Sequence, residues 1–126
     1  MAFPDAELAC MALLADIGYT CTALPEGDEW KALYPIIAIN RTGGGVDADG
    51  ITDTALMSIV CIHDTRPQAW QAAAQVRARM LAATATEAGG IQIDTVREAV
   101  GNAQVPDLTD DNRFVDASFF MTFREQ

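Results

Sequence analysis

Positive charge is what this chain has least of. Its 126 residues include eight lysines and arginines against eighteen acids, a formal charge of −10. Nucleic-acid binding draws on a basic face that releases counterions from phosphate. Here Lys31, Arg41, Arg66, Arg77, Arg79, Arg97, Arg113 and Arg124 are scattered along the sequence. Only Arg77 and Arg79 lie close together, and two residues apart on a helix they diverge. Nothing in this pattern suits a nucleic-acid partner, and the acidity reads as solubility and a brake on premature association.

Cysteine is sparse too. Cys10, Cys21 and Cys61 make an odd number with no paired spacing, no C-x-x-C and no zinc-type Cys/His cluster. They read as reduced thiols packed as small hydrophobes. Ser58, Asp16 or alanine-rich helix interrupts every long apolar stretch before it reaches the ~18 residues of a membrane span. The opening Met-Ala-Phe-Pro-Asp-Ala-Glu has acids where a signal peptide would be basic, then apolar, so the chain is expected to stay where it is made.

What is present is ordinary globular composition, half hydrophobic and 21% charged, in a length that suits one domain over residues 1–126. Residues 5–17 read as a first helix, with Pro4 at its start, Asp5 and Glu7 in its first turn and Gly18 past its end. Leu8, Met11, Leu14 or Ala15, and Ile17 form its expected buried face. A strand over residues 19–24 precedes a polar connection, residues 26–33, that contains Trp30.

The most informative stretch follows. A β run over residues 35–41 meets a Gly/Asp-rich loop, residues 42–50, and a second β run, residues 54–63, so the pair is expected to be a hairpin. Arg66-Pro67 then opens a helix running to about residue 84, with Trp70, Ala73, Val76 or Arg77, Met80 and Leu81 on its apolar face. Gly89-Gly90 precedes a strand over residues 91–100, and a polar loop is expected over residues 101–112. In the last strand, residues 113–124, Val115, Ala117, Phe119, Met121 and Phe123 alternate with more polar neighbours, the period of a half-buried sheet. The predicted order is α-β-β-β-α-β-β: one α+β domain with a mostly antiparallel sheet and two packing helices.

Candidate chemistry is thin. On a strand, Cys61 and His63 would share a face roughly 6–7 Å apart, beyond the ~3 Å of a nucleophile–base pair. Asp47, Asp49 and Asp53 around Gly50 resemble part of a calcium loop, but the third motif acid and the closing glutamate are missing. They remain weak metal candidates in what reads equally as an exposed turn. Gly43-Gly44-Gly45 has no Walker lysine and opens no helix, and Asp110-Asp111 has no partner acid for paired-carboxylate chemistry. Trp70 is read as core, and Trp30 is left unassigned. No catalytic residue and no cofactor is expected.

Taken in order, these elements resemble the tail terminator proteins of long-tailed bacteriophages, also called minor tail or tail completion proteins, above all those of phages infecting actinobacteria. The resemblance rests on Phe3-Pro4-Asp5 before a helix, residues 35–44 before an acidic loop, and Thr52-Asp53 before a strand. Residues 66–70 opening the second helix, residues 101–107 and the closing strand complete it. It implies a structural virion protein, assembled in the bacterial cytoplasm. Such proteins form a ring, expected to be a hexamer, on the head-proximal end of the tail tube. Its partners would be its own copies, the major tail tube protein and the head–tail connector or neck protein, with no membrane and no required nucleic-acid contact. The expected assembly contacts are Gly43, Gly44 and Gly45 with Asp47, Asp49, Ile51 and Asp53. A neck or head-completion protein of similar layout is the alternative, and a small divalent-cation module a more distant one.

Overall fold

The computed structural model describes residues 1–25, 27, 29–105 and 113–126. The Trp30 side chain, Pro106, Asp107 and the Asp110-Asp111 pair lie outside the described residues. Ten elements follow one another: α1 (Ala6–Leu14), β1 (Tyr19–Cys21), a 3-10 turn (Glu29–Leu33), β2 (Ile36–Val46), β3 (Thr52–Ile62), α2 (Arg66–Leu81), β4 (Glu87–Ala88), β5 (Ile91–Gln92), β6 (Thr95–Gln104) and β7 (Phe114–Arg124). The main sheet runs β1-β2-β3-β7-β6, and β4 and β5 form a separate small hairpin. Only β1 is parallel to its neighbour, so the expected α+β class with a mostly antiparallel sheet and two helices is the fold observed.

Both helices start where their caps dictate. Asp5 Oδ1 accepts from the Glu7 and Leu8 N–H groups at 2.9 and 3.2 Å, so Asp5 is a cap and not the first helical residue. Thr65 Oγ1 accepts from Gln68 N–H at 3.4 Å, and Pro67 sits in the first turn of α2. The buried stripe of α1 is Ala6, Ala9, Cys10 and Leu14, while Leu8 is 59% exposed. Of the expected face, Leu14 is buried and Met11 and Ile17 pack against the core, while Leu8 is the correction: the small Ala6, Ala9 and Cys10 take its place where the helix lies close on the sheet. On α2 the small residues Ala69, Ala72 and Ala73 join Val76 and Met80 inside, and Leu81 stays exposed.

One sheet face carries the core. Ala55, Met57, Ile59 and Cys61 of β3 and Val115, Ala117, Phe119, Met121 and Phe123 of β7 are buried beneath α1 and α2, as the alternation of β7 predicts. Among the described residues, the opposite face is covered at one end, where Leu33, Tyr34 and Phe114 pack over Ile36 and Ile62.

Two expected loops are strand in part. β2 continues to Val46 and pairs with β3 through Gly43, Gly44 and Gly45, with a bulge between Arg41 and Gly43. The turn is thereby reduced to residues 47–51. Backbone pairing outweighs the poor strand propensity of glycine because each residue gains ladder bonds on β3. Similarly, β6 passes residue 100 and reaches Gln104 through two irregularities, after Glu98 and after Val100. Its start is also later than expected, because Gly89 and Gly90, at φ +57° and +80°, fold residues 87–92 into the small hairpin first.

Candidate assembly surface

The hairpin β2–β3 is anchored by charge at its base. Both Asp53 carboxylate oxygens accept from the Arg41 guanidinium, at 2.7 and 2.8 Å. Asp53 is only 4% exposed, so the pair stands partly out of water, where a bidentate Arg–carboxylate contact is strongest. Arg41 holds the Asp53 carboxyl below the usual carboxylate range, and Asp53 in turn raises the guanidinium. The Arg41 backbone N–H donates to Glu7 Oε2 at 2.9 Å, which ties α1 to the same point.

The tip is shaped by Asp47. Its Oδ1 accepts from the N–H groups of Ile51 and Thr52 at 3.0 and 3.3 Å, and its own N–H donates to the Thr52 carbonyl at 2.9 Å. Gly50, at φ +71°, takes the left-handed position of the turn. Asp49 is exposed, and so are the apolar side chains of Val46 and Ile51, at 50% and 54%. Gly44 is required by the ladder itself: at φ +94°, a Cβ there would lie 1.9 Å from the Thr54 carbonyl oxygen.

The predicted site residues therefore gather on one hairpin, but not as a metal centre. Asp53 points at Arg41, Asp47 at its own turn, and no group of three His, Cys, Asp or Glu among the described residues could hold an ion. Sequence reasoning missed the Arg41–Asp53–Glu7 linkage. A signal for it existed: Asp53 shares the phase of Ala55, Met57, Ile59 and Cys61, so a carboxylate on that face needs a buried partner.

The open sheet face adds Leu56 and Phe120, with Arg97 stacked 4.2 Å from the centre of the Phe120 ring. Val100 nearby is 59% exposed.

Nucleophilic chemistry has no footing among the described residues. Burial pushes the Cys61 and Cys10 thiols up to about 12, and raises Cys21 as well, so none offers a thiolate near neutrality. His63 stacks on Tyr34 at 5.7 Å between ring centres, and its Nδ1 accepts from the Asp64 N–H at 2.7 Å.

Fold and surface together describe an α+β scaffold that presents one anchored hairpin with an exposed tip. The sequence profile described as "Phage tail termination protein" matches residues 2–126, and the chain belongs to that family. It is accordingly a structural component of the phage tail and of the virion, not an enzyme. Among solved structures, a chain from the virion of a native gene transfer agent particle is similar in fold. The two share 17% identity with a TM-score of 0.62, over 95% of this chain and 86% of that one. No curated protein sequence matches. No helix among the described residues is long and apolar enough to cross a membrane.

Proposed function

We propose that the protein forms a closed ring, a hexamer, on the head-proximal end of the tail tube. There it ends addition of tube subunits and provides the surface that joins the head. The observation that carries this reading is the family match across residues 2–126, which leaves almost no part of the chain for another role. A closed ring also needs two different, complementary flanks on each subunit, and this sheet has two dissimilar outer strands, β1–β2 and β6. The ring's partners are the tail tube protein on one side and the head–tail connector on the other. Its contacts are made by the β2–β3 hairpin through Gly43, Gly44, Gly45, Asp47, Asp49 and Ile51, with Asp53 holding the hairpin base.

The test is negative-stain imaging of particles from a phage lacking this protein. Tails of uncontrolled length that never join heads are expected. Normal-length tails joined to full heads would sink the proposal, and normal-length but unjoined tails would move the protein to the neck.

A further inference from the structure

The two outer edges of the main sheet are finished differently. At β6 the Thr84 hydroxyl bonds both the Val96 N–H, at 3.0 Å, and the Val96 carbonyl, at 3.4 Å, and residues 85–86 bond to residues 93–94 beside it. Beyond Glu98 that strand is irregular. On the other flank β1 covers β2 at residues 36–38, and the Glu7 carboxylate takes the outward N–H of Arg41. Past that point no strand adjoins the edge among the described residues, and residues 44–46 are exposed. The N–H of Asp47 donates inward to the Thr52 carbonyl, so ladder alternation turns the N–H and C=O of Val46 outward.

The stretch Thr42-Gly43-Gly44-Gly45-Val46 has no lysine, proline or inward-pointing charge, the side chains that keep a bare edge from pairing. The bulge between Arg41 and Gly43 precedes it, and residues 43–46 pair regularly with β3. A Cβ at Gly45 would meet nothing within 4 Å, and one at Gly43 only the Leu56 side chain at 3.7 Å, so the subunit itself requires neither glycine. Glycine inside a strand weakens it and marks places that another backbone approaches closely. It also leaves Leu56, and Phe120 opposite it on β7, open to the side chains of an added strand. A second copy is a poor source of that strand. With β6 already bonded, its regular free edge among the described residues is this same flank, and pairing like flanks closes a twofold pair instead of a larger ring. Charge narrows the choice further: Glu7 stands at one end of the stretch and Asp47 and Asp49 at the other, while Arg41 is taken by Asp53. The edge therefore suits a segment with basic ends and repels an acidic one.

Resting on the ring reading above, we propose that the β2 edge at residues 42–46 is the docking edge for an extended segment of a different protein of the particle, with apolar side chains at alternate positions and basic residues flanking them. The segment adds a strand to the sheet through main-chain hydrogen bonds, and its apolar side chains lie over Gly43 and Gly45 toward Leu56.

Two variants of the full chain test this. Val46→Pro removes the outward N–H without removing a ladder bond inside the subunit, whereas Val46→Ala keeps it. Both are expected to form rings like wild type in sedimentation velocity. Binding is measured by co-sedimentation with tail tubes, and separately with heads, isolated from a phage lacking this protein. Val46→Pro is expected to bind one of the two about tenfold more weakly than wild type, and Val46→Ala within about twofold. Amide exchange over residues 42–46 reads the same contact without mutation, and is expected to slow when the wild-type protein binds that partner. Unchanged exchange together with full binding by Val46→Pro overturns the edge pairing and leaves the ring reading intact. An equal loss in Val46→Ala overturns it too, because the contact then belongs to the side chain. Loss of the ring in a folded Val46→Pro would put a second copy on the edge and also overturns the proposal. A wild-type chain that never forms a ring, yet slows its exchange on binding, removes the ring reading alone.

Discussion

The two faces of the main sheet are built from the same strands and do different work. Beneath the helices, Phe119 and Phe123 are fully buried, and the buried charged group there, Asp53, is matched by Arg41. On the open face, Phe120 is half-buried under Arg97, and Asp116 is met by a Ser58 hydroxyl at a long 3.4 Å. Adjacent residues on one strand thus sit in very different surroundings. The covered face holds the subunit together, whereas the open face, among the described residues, leaves Phe120 and Asp116 with single polar neighbours, Arg97 and Ser58.

The largest expected contrast is between the adjacent phenylalanines. Phe119→Ala should cost about 3–5 kcal/mol by loss of transfer energy and cavity formation, and Phe120→Ala only about 1 kcal/mol. Urea unfolding of the two variants measures both, and equal costs would mean the open face is covered within the subunit.

Next come the neighbouring glycines. Gly44→Ala forces a Cβ against the Thr54 carbonyl at φ +94°, and should cost about 3 kcal/mol by strain. Gly45→Ala enters open space and should stabilise the free subunit by about 0.5 kcal/mol by restricting the unfolded chain. Thermal midpoints of the two variants give the sign directly.

The acids sharpen the comparison further. Asp53→Asn removes a bidentate partner from a half-buried guanidinium and should cost about 2 kcal/mol, against less than about 0.5 kcal/mol for Asp116→Asn. The Asp53 carboxyl is lowered in the folded state, so its contribution is present above the unfolded value of about 4 and is lost as pH falls through the lower folded value. Wild-type stability should therefore drop on acidification more steeply than that of Asp53→Asn, as read from urea midpoints across a pH series.

The smallest effect is expected for the exposed pair between Arg79 and Asp16, at 2.7 Å. Asp16→Asn should shift the urea midpoint least of these variants, and less still at high salt.

How much of this was legible beforehand depended on the range of the interaction. The alternation from Val115 to Phe123 marks the buried face of β7 without ambiguity, since period two can place only one set inside. Proline at both helix starts and aspartate at the first act over three or four residues, so both N-termini could be placed to within a residue or two. The stretch from Gly43 to Val46 was not legible as strand. Glycine propensity points to a loop, and only the ladder bonds to residues 53–56 of β3 make it a strand. The rotation of α1 was hidden for a similar reason: all of Leu8, Ala9, Cys10 and Met11 are apolar, and the choice among them falls to how closely the sheet approaches.

The candidate site divides the same way. That the hairpin tip is acidic, glycine-rich and empty of catalytic groups is a matter of composition, and the sequence by itself determined it. So too were the α+β class, the two helices and the alternating core strand, because local spacing alone decides which side of an element is apolar. Only the tertiary structure decided that Asp53 belongs to Arg41 and to the subunit interior, that Asp47 closes its own turn, and that Asp49, Val46 and Ile51 are left exposed. The physical reason is that a carboxylate's role depends on what stands within about 3 Å of it. That distance is set by strands meeting from separate parts of the chain.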